Sequence, residues 1–319
     1  MSAADAMGSV SGGDRELRFD VVWMTQQPQL SFGDEQLAGL NEVAAPGHYL
    51  VMPTAQRLET VQQNGNEICP YVNDFNGEQG YVAAGEHTTG VFFGRTAEQR
   101  AAEIVAWYEQ HWWVAQGGGG KPVPRSGPPP QGSWIFLNEL SRGAWTTYPD
   151  YAAWVTAIAA ALGQAGFRPV IFSPFTDAVH HPNADAWAGL AQQAFIAVES
   201  YLAGSAIAQQ PPEVRVSWCA SRYRAMLATY ANVGVGADRV LLGEHFGQTL
   251  AGVPRGRAGV SPEDWTAAIN ARSGAARRLR AEGLFAGYAT YAWGYNQMNE
   301  TLENLLAFQG AYTANRLPG

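Results

Sequence analysis

Short apolar runs alternate with longer stretches of helical periodicity along the whole chain. Eight runs of six to nine residues are rich in aliphatic, β-branched and aromatic side chains and are bounded by polar or turn-forming residues, which is typical of strands. The predicted strands are residues 17–24, 48–53, 67–73, 133–138, 168–173, 194–199, 239–244 and 285–293. Strands at this spacing indicate repeated β-α units.

Helical segments fill the intervals between these strands. The clearest start is at Ser261, an N-cap followed by Pro262 at the first helical position and by Asp264 three residues after the cap. Eight alternations without a shift in composition predict one α/β domain, a (β/α)8 TIM barrel over residues 17–319 preceded by a flexible segment, residues 1–16. The predicted helices are residues 34–44, 54–64, 96–113, 150–165, 185–193, 222–232, 265–281 and 299–316.

Two segments compete for the third strand of this barrel. EICPYVN (67–73) and GVFFG (90–94) are both apolar, and we expect whichever is not the strand to belong to a long loop at the carboxyl ends of the strands. The Gly- and Pro-rich segment 116–132 runs from a helix into a strand. It is therefore expected at the opposite mouth of the barrel, away from the chemistry.

Composition narrows the classes of partner. The 319 residues include 20 basic and 28 acidic side chains, so the formal net charge is −8. Hydrophobic residues make up 46% and charged residues 15%, which is enough apolar material for a large core. Because Lys121 is the only lysine and no basic stripe is present, we expect no nucleic-acid partner.

Further features bear on the membrane, the thiols and the compartment. The longest uncharged run, 151–167, is interrupted by polar residues and glycines and is shorter than about 20 apolar residues, so we expect a buried helix and no membrane partner. Cys69 and Cys219 favour two isolated buried thiols over one disulfide. The N-terminus fits a cytoplasmic protein or a secreted one whose leader was removed, and the oligomeric state stays open.

Two predicted strands end in a glutamate, and a third is followed directly by one. Residues 133–138 close on Asn138 and lead into Glu139, residues 194–199 close on Glu199, and residues 239–244 close on Glu244. Active sites of barrels lie where strands end, and an acid beside an apolar strand costs free energy unless it is paired, hydrogen-bonded or used. Glycoside hydrolysis requires paired carboxylates of this kind, one protonated to assist the leaving oxygen and one to attack or to activate water.

Sugar sites also use aromatic platforms and polar side chains near the carboxylates. Aromatic residues often serve only the core, but several follow predicted strands closely enough to reach the same rim. His87, in GEHTTG, and His245, directly after Glu244, are expected at that rim as well. The aromatic candidates are Trp145, Tyr148, Tyr201, Trp293 and Tyr295.

The pattern resembles clan A of the glycoside hydrolases, the retaining (β/α)8 enzymes. The resemblance rests on the Asn138-Glu139 pair after strand four, on Glu244 at the end of strand seven and on Trp293 after strand eight. It implies that Glu139 is the general acid/base, Glu244 the nucleophile, Asn138 a partner of the sugar 2-hydroxyl and Trp293 the floor of the −1 subsite. Tyr201 would supply the aromatic hydroxyl that supports the nucleophile.

Two positions depart from the clan's pattern. The clan usually places an arginine at the end of strand two, whereas Arg57 falls inside the predicted helix 54–64. Glu199 is not a standard element of the clan either. We expect it to contact the substrate or a neighbouring side chain.

Two other classes of function stay open. Glu139, Glu199 and Glu244 are also suitable ligands for Mg²⁺ or Mn²⁺, which would make the chain a metal-dependent barrel enzyme, with Asp177, His180 and His181 nearby. A third possibility is a barrel that binds a glycan without cleaving it. No nucleotide fingerprint follows the first strand and no G-x-S-x-G elbow is present, so we expect no cofactor. The paired carboxylates and the aromatic residues favour a carbohydrate substrate.

Overall fold

The structure, a computed structural model, describes residues 19–24, 49–52, 67–68, 71–72, 87–116, 132–200, 202–245 and 262–292. Its strands are β1 (Phe19–Met24), β2 (Tyr49–Met52), β3 (Glu67–Ile68), β4 (Tyr71–Val72), β5 (Val91–Phe92), β6 (Arg95–Thr96), β7 (Ser133–Leu137), β8 (Phe167–Ser173), β9 (Phe195–Glu199), β10 (Val240–His245) and β11 (Gly287–Ala292).

The described α-helices cover the outside of this sheet. They are α1 (Ala97–Gln116), α2 (Arg142–Thr147), α3 (Tyr151–Gln164), α4 (Trp187–Gln193), α5 (Gly204–Ala208), α6 (Arg215–Asn232) and α7 (Pro262–Ala281). Short 3-10 turns precede three of these elements, at Ala184–Ala186, Pro212–Val214 and Ala237–Arg239. None of the described helices is both long enough and apolar enough to cross a membrane.

Nine of these strands form one parallel sheet, in the order β3-β2-β1-β11-β10-β9-β8-β7-β4. Its first and last strands, β3 and β4, are separated in the chain by residues 69–70 alone. Since consecutive Cα atoms are 3.8 Å apart, Ile68 and Tyr71 are at most about 11 Å from each other. The two ends of the sheet are therefore brought together, and the sheet is strongly curved.

Both faces of the sheet are buried along β7, β8, β9, β10 and β11, the strands for which burial is described. Alternate residues on these strands pack against the helices, as period-two alternation requires. The others form a second buried layer on the concave face, where the rings of Phe136 and Phe172 lie 4.5 Å apart. The helix-facing layer includes Leu137, Ile171, Ile196, Val198 and Leu242, and the concave layer includes Phe136, Val170, Phe172, Ala197 and Leu241.

Helix α3 illustrates how the pattern of the chain builds the outer layer. Tyr151, Val155, Ile158 and Leu162 recur at helical spacing and are all fully buried. The helix stops before Gly166, whose φ of 93° is a left-handed conformation that glycine adopts at little cost. The Gly166 carbonyl then accepts a hydrogen bond from the Gly132 N–H, so helix end and strand start are held together.

All eight predicted strands are present, with ends within two residues of the predicted ones. The segment 67–73 supplies the third strand as β3 and β4, whereas GVFFG belongs to the antiparallel hairpin β5–β6 before α1. Helix α6 begins at Arg215, seven residues before the predicted start, and α2 and α5 were not predicted. The predicted helices 34–44, 54–64 and 299–316, the loop 117–131, Cys69 and Arg57 lie outside the described residues. Cys219 is buried in α6.

Candidate functional site

The carboxyl ends of four neighbouring strands lie along one edge of the sheet, because β7, β8, β9 and β10 are adjacent and parallel. The three glutamates singled out by the sequence therefore share this edge. Glu139 follows β7 by two residues, Glu199 closes β9 and Glu244 is the penultimate residue of β10. β7 and β10 are three strand spacings apart, about 14 Å on a flat sheet and less on a curved one.

Glu199 is the best defined of these acids. It retains 8% of its exposure and lies on the same face of β9 as Ala197, the concave face, whereas Ile196 and Val198 face the helices. Its neighbours in the same row of the sheet are Gly243 and Ala289, both small residues.

Strands β9 and β10 approach each other closely beyond Glu199. The Ser200 N–H donates a 2.8 Å hydrogen bond to the Gly243 carbonyl, and the Ser200 hydroxyl donates to the same oxygen. A Cβ atom on Gly243 would lie 2.6 Å from the carbonyl oxygen of Val198, so this approach requires glycine. The contact holds the end of β9 beside the backbone of Glu244.

Asn138 and Glu139 stand at the lip of β7. Asn138 is half-buried and Glu139 is exposed. The following Leu140 N–H donates a 2.9 Å hydrogen bond to the Phe172 carbonyl, which anchors this turn to β8. Ser141 then caps α2 by accepting a hydrogen bond from the Ala144 N–H. Glu139 is thereby held between a strand end and a helix start.

Several predicted site residues are not covered by the structure. Tyr201, Trp293 and Tyr295 lie outside the described residues, and Glu244 and His245 are described in their backbone alone. The separation of the Glu139 and Glu244 carboxyl groups, which would distinguish retention from inversion, stays a prediction for the same reason.

Trp145 corrects the sequence-based expectation of a sugar platform. It has no exposed surface, and its ring packs 4.3 Å from that of Trp187 and 6.2 Å from that of Phe175. A sugar cannot stack on a ring without exposed area, so Trp145 belongs to the core beneath the rim. Tyr148, three residues later, stays half-buried at the surface.

His87 has a partner that the sequence did not indicate. Its Nε2 lies 3.1 Å from both carboxylate oxygens of Asp150, and the Gly90 N–H donates a 2.9 Å hydrogen bond to one of them. Burial opposes ionisation of Asp150, but these hydrogen bonds outweigh it and hold the pKa of the carboxyl below its usual value. The His87 ring also packs against Tyr148, with 4.1 Å between ring centres.

The loop after β8 folds around Phe175. The Tyr230 hydroxyl donates a 2.6 Å hydrogen bond to the Phe175 carbonyl and lies 2.6 Å from the Ser173 hydroxyl. Burial raises the pKa of the Tyr230 phenol far above its usual value, so the hydroxyl stays a donor. This network ties the loop after β8 to α6.

The adjacent histidines of this loop diverge. His180 lies 3.1 Å from the Asp177 carboxylate, whereas the His181 ring packs 4.0 Å from the centre of the Phe175 ring. Among the described residues, no group of three His, Cys, Asp or Glu side chains could hold a metal ion. The Glu244 side chain lies outside the described residues, so a metal site formed by Glu139, Glu199 and Glu244 stays a prediction.

Comparisons with known proteins leave the family open. No family model matches the chain, and the comparison with curated proteins finds no match. Solved structures do match, at low identity.

Three of the matched structures show the range. The spore cortex-lytic enzyme SleL of Bacillus megaterium has a TM-score of 0.48 and 12% identity, covering 91% of this chain and 73% of the other. A glycoside hydrolase family 5 enzyme from Prevotella bryantii, solved with a xyloglucan tetradecasaccharide, has 0.48 and 9%, covering 93% and 97%. A sugar phosphate isomerase/epimerase from Parabacteroides distasonis has 0.42 and 10%, covering 91% and 96%. Scores below 0.5 decide neither the fold nor the reaction.

Proposed function

We propose that this protein is a glycoside hydrolase that cleaves its substrate with retention of configuration, with Glu139 as general acid/base and Glu244 as nucleophile. One observation carries the proposal. β7, which is followed by Asn138 and Glu139, and β10, which contains Glu244, lie in one parallel sheet with their carboxyl ends at the same edge. Paired carboxylates across such an edge are what glycosidic cleavage requires.

We also propose that the sheet closes into a (β/α)8 barrel, with β3 and β4 as two halves of one strand. The register supports closure. When the registers of the described strand pairs are extended around the sheet, with β3 and β4 treated as one continuous strand, they return to β7 with a total shift of eight residues. Eight strands with a shear of eight define the TIM barrel.

Closure matters for the chemistry because it places Glu139 and Glu244 across the mouth from each other. On an open sheet their strands are about 14 Å apart, too far for both carboxylates to reach one bond. Curvature shortens the distance between the ends of β7 and β10 across the mouth. A carboxyl separation of about 5 to 5.5 Å is the value for a retaining enzyme.

The reaction then has two steps. Glu139 donates its proton to the glycosidic oxygen as the bond from that oxygen to C1 breaks, and the Glu244 carboxylate attacks C1 to form a glycosyl ester. Water, deprotonated by Glu139, next attacks C1 and releases Glu244.

The remaining rim residues are proposed to hold the sugar. Asn138 would bind the 2-hydroxyl, and Glu199 would hydrogen-bond a further hydroxyl, because it lies on the concave face next to Gly243. The other proposed contacts are Tyr201, Trp293, His245, His87 and Tyr295. Carbohydrate is the proposed substrate class, and the sugar and its linkage are left to experiment.

The first test is activity on a panel of aryl glycosides by Glu139→Gln, Glu244→Gln and Glu199→Gln variants, with Glu213→Gln as control. Glu213 is exposed in the 3-10 turn before α6 and should be neutral. We expect the first two to lose activity by about 10³-fold or more, the scale of losing general acid or nucleophile chemistry, with Tm unchanged. NMR of the first-formed anomer should show retention.

Two outcomes would overturn these roles. Wild-type turnover in Glu139→Gln together with loss in Glu199→Gln would move the acid to β9. Activity that disappears with chelators and returns with Mg²⁺ or Mn²⁺ would favour the metal-dependent enzyme.

A further inference from the structure

The loops after β7 and β8 bring two nitrogen-bearing side chains onto one aromatic ring. The Arg142 guanidinium carbon lies 5.7 Å from the centre of the Phe175 ring, and the His181 ring centre lies 4.0 Å from it. Phe175 retains only 1% of its exposure, so its ring is covered. Arg142 and His181 both contact this ring, and we call them the Arg142–His181 pair.

Arg142 has no acidic partner among the described residues. Its side chain is exposed, and no described carboxylate forms an ion pair with it. The acid of the neighbouring loop, Asp177, is engaged with His180 and with the Val179 N–H. Helix α2 does not stabilise the Arg142 charge either, because Arg142 is in its first turn, where the positive end of the helix dipole disfavours a cation. Towards the described residues, the stacked guanidinium therefore keeps its planar donor edge available.

Burial and the neighbouring charges together lower the pKa of the His181 ring. Burial lowers the pKa of the His181 ring, a hydrogen bond to the Asp177 backbone opposes this, and the Arg142 charge lowers it further. The charged and titratable groups facing His181 are Arg142 from α2 and Asp177 and His180 from its own loop. An anion between Arg142 and His181 would offset the arginine charge and favour protonation of the imidazole, so binding would take up a proton.

We propose that the Arg142–His181 pair is a subsite for the carboxylate of an acidic sugar, such as a uronic acid residue of the glycan. The inference rests on the proposed function for its setting, because Arg142 follows Glu139 by three residues and their Cα atoms are at most about 11 Å apart. Guanidinium binds a planar carboxylate through two parallel hydrogen bonds, which a neutral hydroxymethyl group cannot accept in the same way.

The test compares two probes that differ only at C6, D-glucuronate and D-glucose, by NMR titration. Wild type should bind glucuronate about tenfold more tightly than glucose near pH 5.5, the scale of one charge-assisted hydrogen-bonded pair. Arg142→Gln should lose this preference without changing glucose affinity, and Arg142→Lys should keep part of it. The matched control is Arg222→Gln, because Arg222 stacks on Trp218 at 5.2 Å in α6.

The pH dependence separates the two side chains. The preference for glucuronate should fall as pH rises from about 5.5 to about 8, because His181 loses its proton, whereas in His181→Gln it should stay constant. Equal affinity for the two probes in wild type, or an unchanged preference in Arg142→Gln, would overturn the proposal. Binding of acetate as tight as that of glucuronate would overturn the assignment to a sugar acid.

These readouts are independent of catalysis because no bond is cleaved. Glucuronate binding through Arg142 in a protein that hydrolyses no glycoside would contradict the proposed function and leave the subsite standing. Hydrolysis of neutral glycosides alone, without any preference for glucuronate, would support the proposed function and overturn the subsite.

Discussion

A pair of residues 63 positions apart joins the β5–β6 hairpin region to the start of α3. His87 and Asp150 are both about three-quarters buried, and Asp150 also accepts the Gly90 N–H. Asp150 occupies the N-cap position of α3, yet its carboxylate makes no capping hydrogen bond because it is directed to His87 and Gly90. The Asp150 side chain therefore holds residues 87–90 in place instead of capping α3.

Asp150→Asn should therefore destabilise the protein by about 1 to 2 kcal/mol at neutral pH, which lowers the Tm of a 319-residue chain by about 1.5–3 °C. The pKa of Asp150 is depressed below 3.8, so its contribution is complete above that value and is lost as pH falls through the lower, folded-state pKa. The Tm difference between wild type and variant should therefore shrink only as pH is lowered below 3.8 and through the depressed pKa of Asp150. Asp238→Asn, at a 69% exposed carboxylate 3.9 Å from Arg239, is the control. A Tm difference that persists unchanged at low pH would contradict a role for the ionised carboxylate as hydrogen-bond acceptor.

The elements were predicted to different degrees because the sequence signals differ in range. Most of the eight predicted strands are apolar runs long enough to identify by themselves, whereas 67–73 competed with 90–94 for the third. The ends of three of these runs placed Glu139, Glu199 and Glu244 at one edge. Helices α2 and α5 span six and five residues, too few for a helical period to emerge. Trp145 follows a strand in a way that suits either a platform or the core, and only packing decides. The Asp150 partner of His87 leaves no local pattern at all.

Gly243 tests how far the site depends on the spacing of two elements. Gly243→Ala would place a Cβ atom 2.6 Å from the Val198 carbonyl oxygen and force β9 and β10 apart beside Glu199. We expect destabilisation by about 1 to 3 kcal/mol and a larger loss of glycosidase activity than of folded protein. Gly189→Ala in α4, where a Cβ atom would meet nothing within 4 Å, should be neutral or stabilising. Equal behaviour of the two variants in melts and assays would argue against a tight β9–β10 contact.

At the scale of the whole molecule, the segment 67–72 decides whether the edges of the sheet are joined. β3 pairs with β2 and β4 pairs with β7, so this one segment contacts both ends of the strand order. Pro70, which has no N–H to donate, stands between the two paired halves. A ring of strands shares its stability around the circle, whereas an open sheet loses an edge strand locally.

Ile68→Pro distinguishes the two arrangements. It removes an N–H and fixes φ in β3, at a cost of about 3 kcal/mol or more if the strand is internal to a ring. In a closed barrel, hydrogen exchange should then accelerate together in β3 and in the distant strands β8 and β9, and circular dichroism and tryptophan fluorescence should report one lowered Tm. Ile68→Ala, which keeps the N–H, should shift Tm less. Faster exchange confined to β2 and β3, with β8 and β9 as protected as in wild type, would mean that β3 is a frayed edge, and the barrel on which the opposed glutamates depend would be wrong.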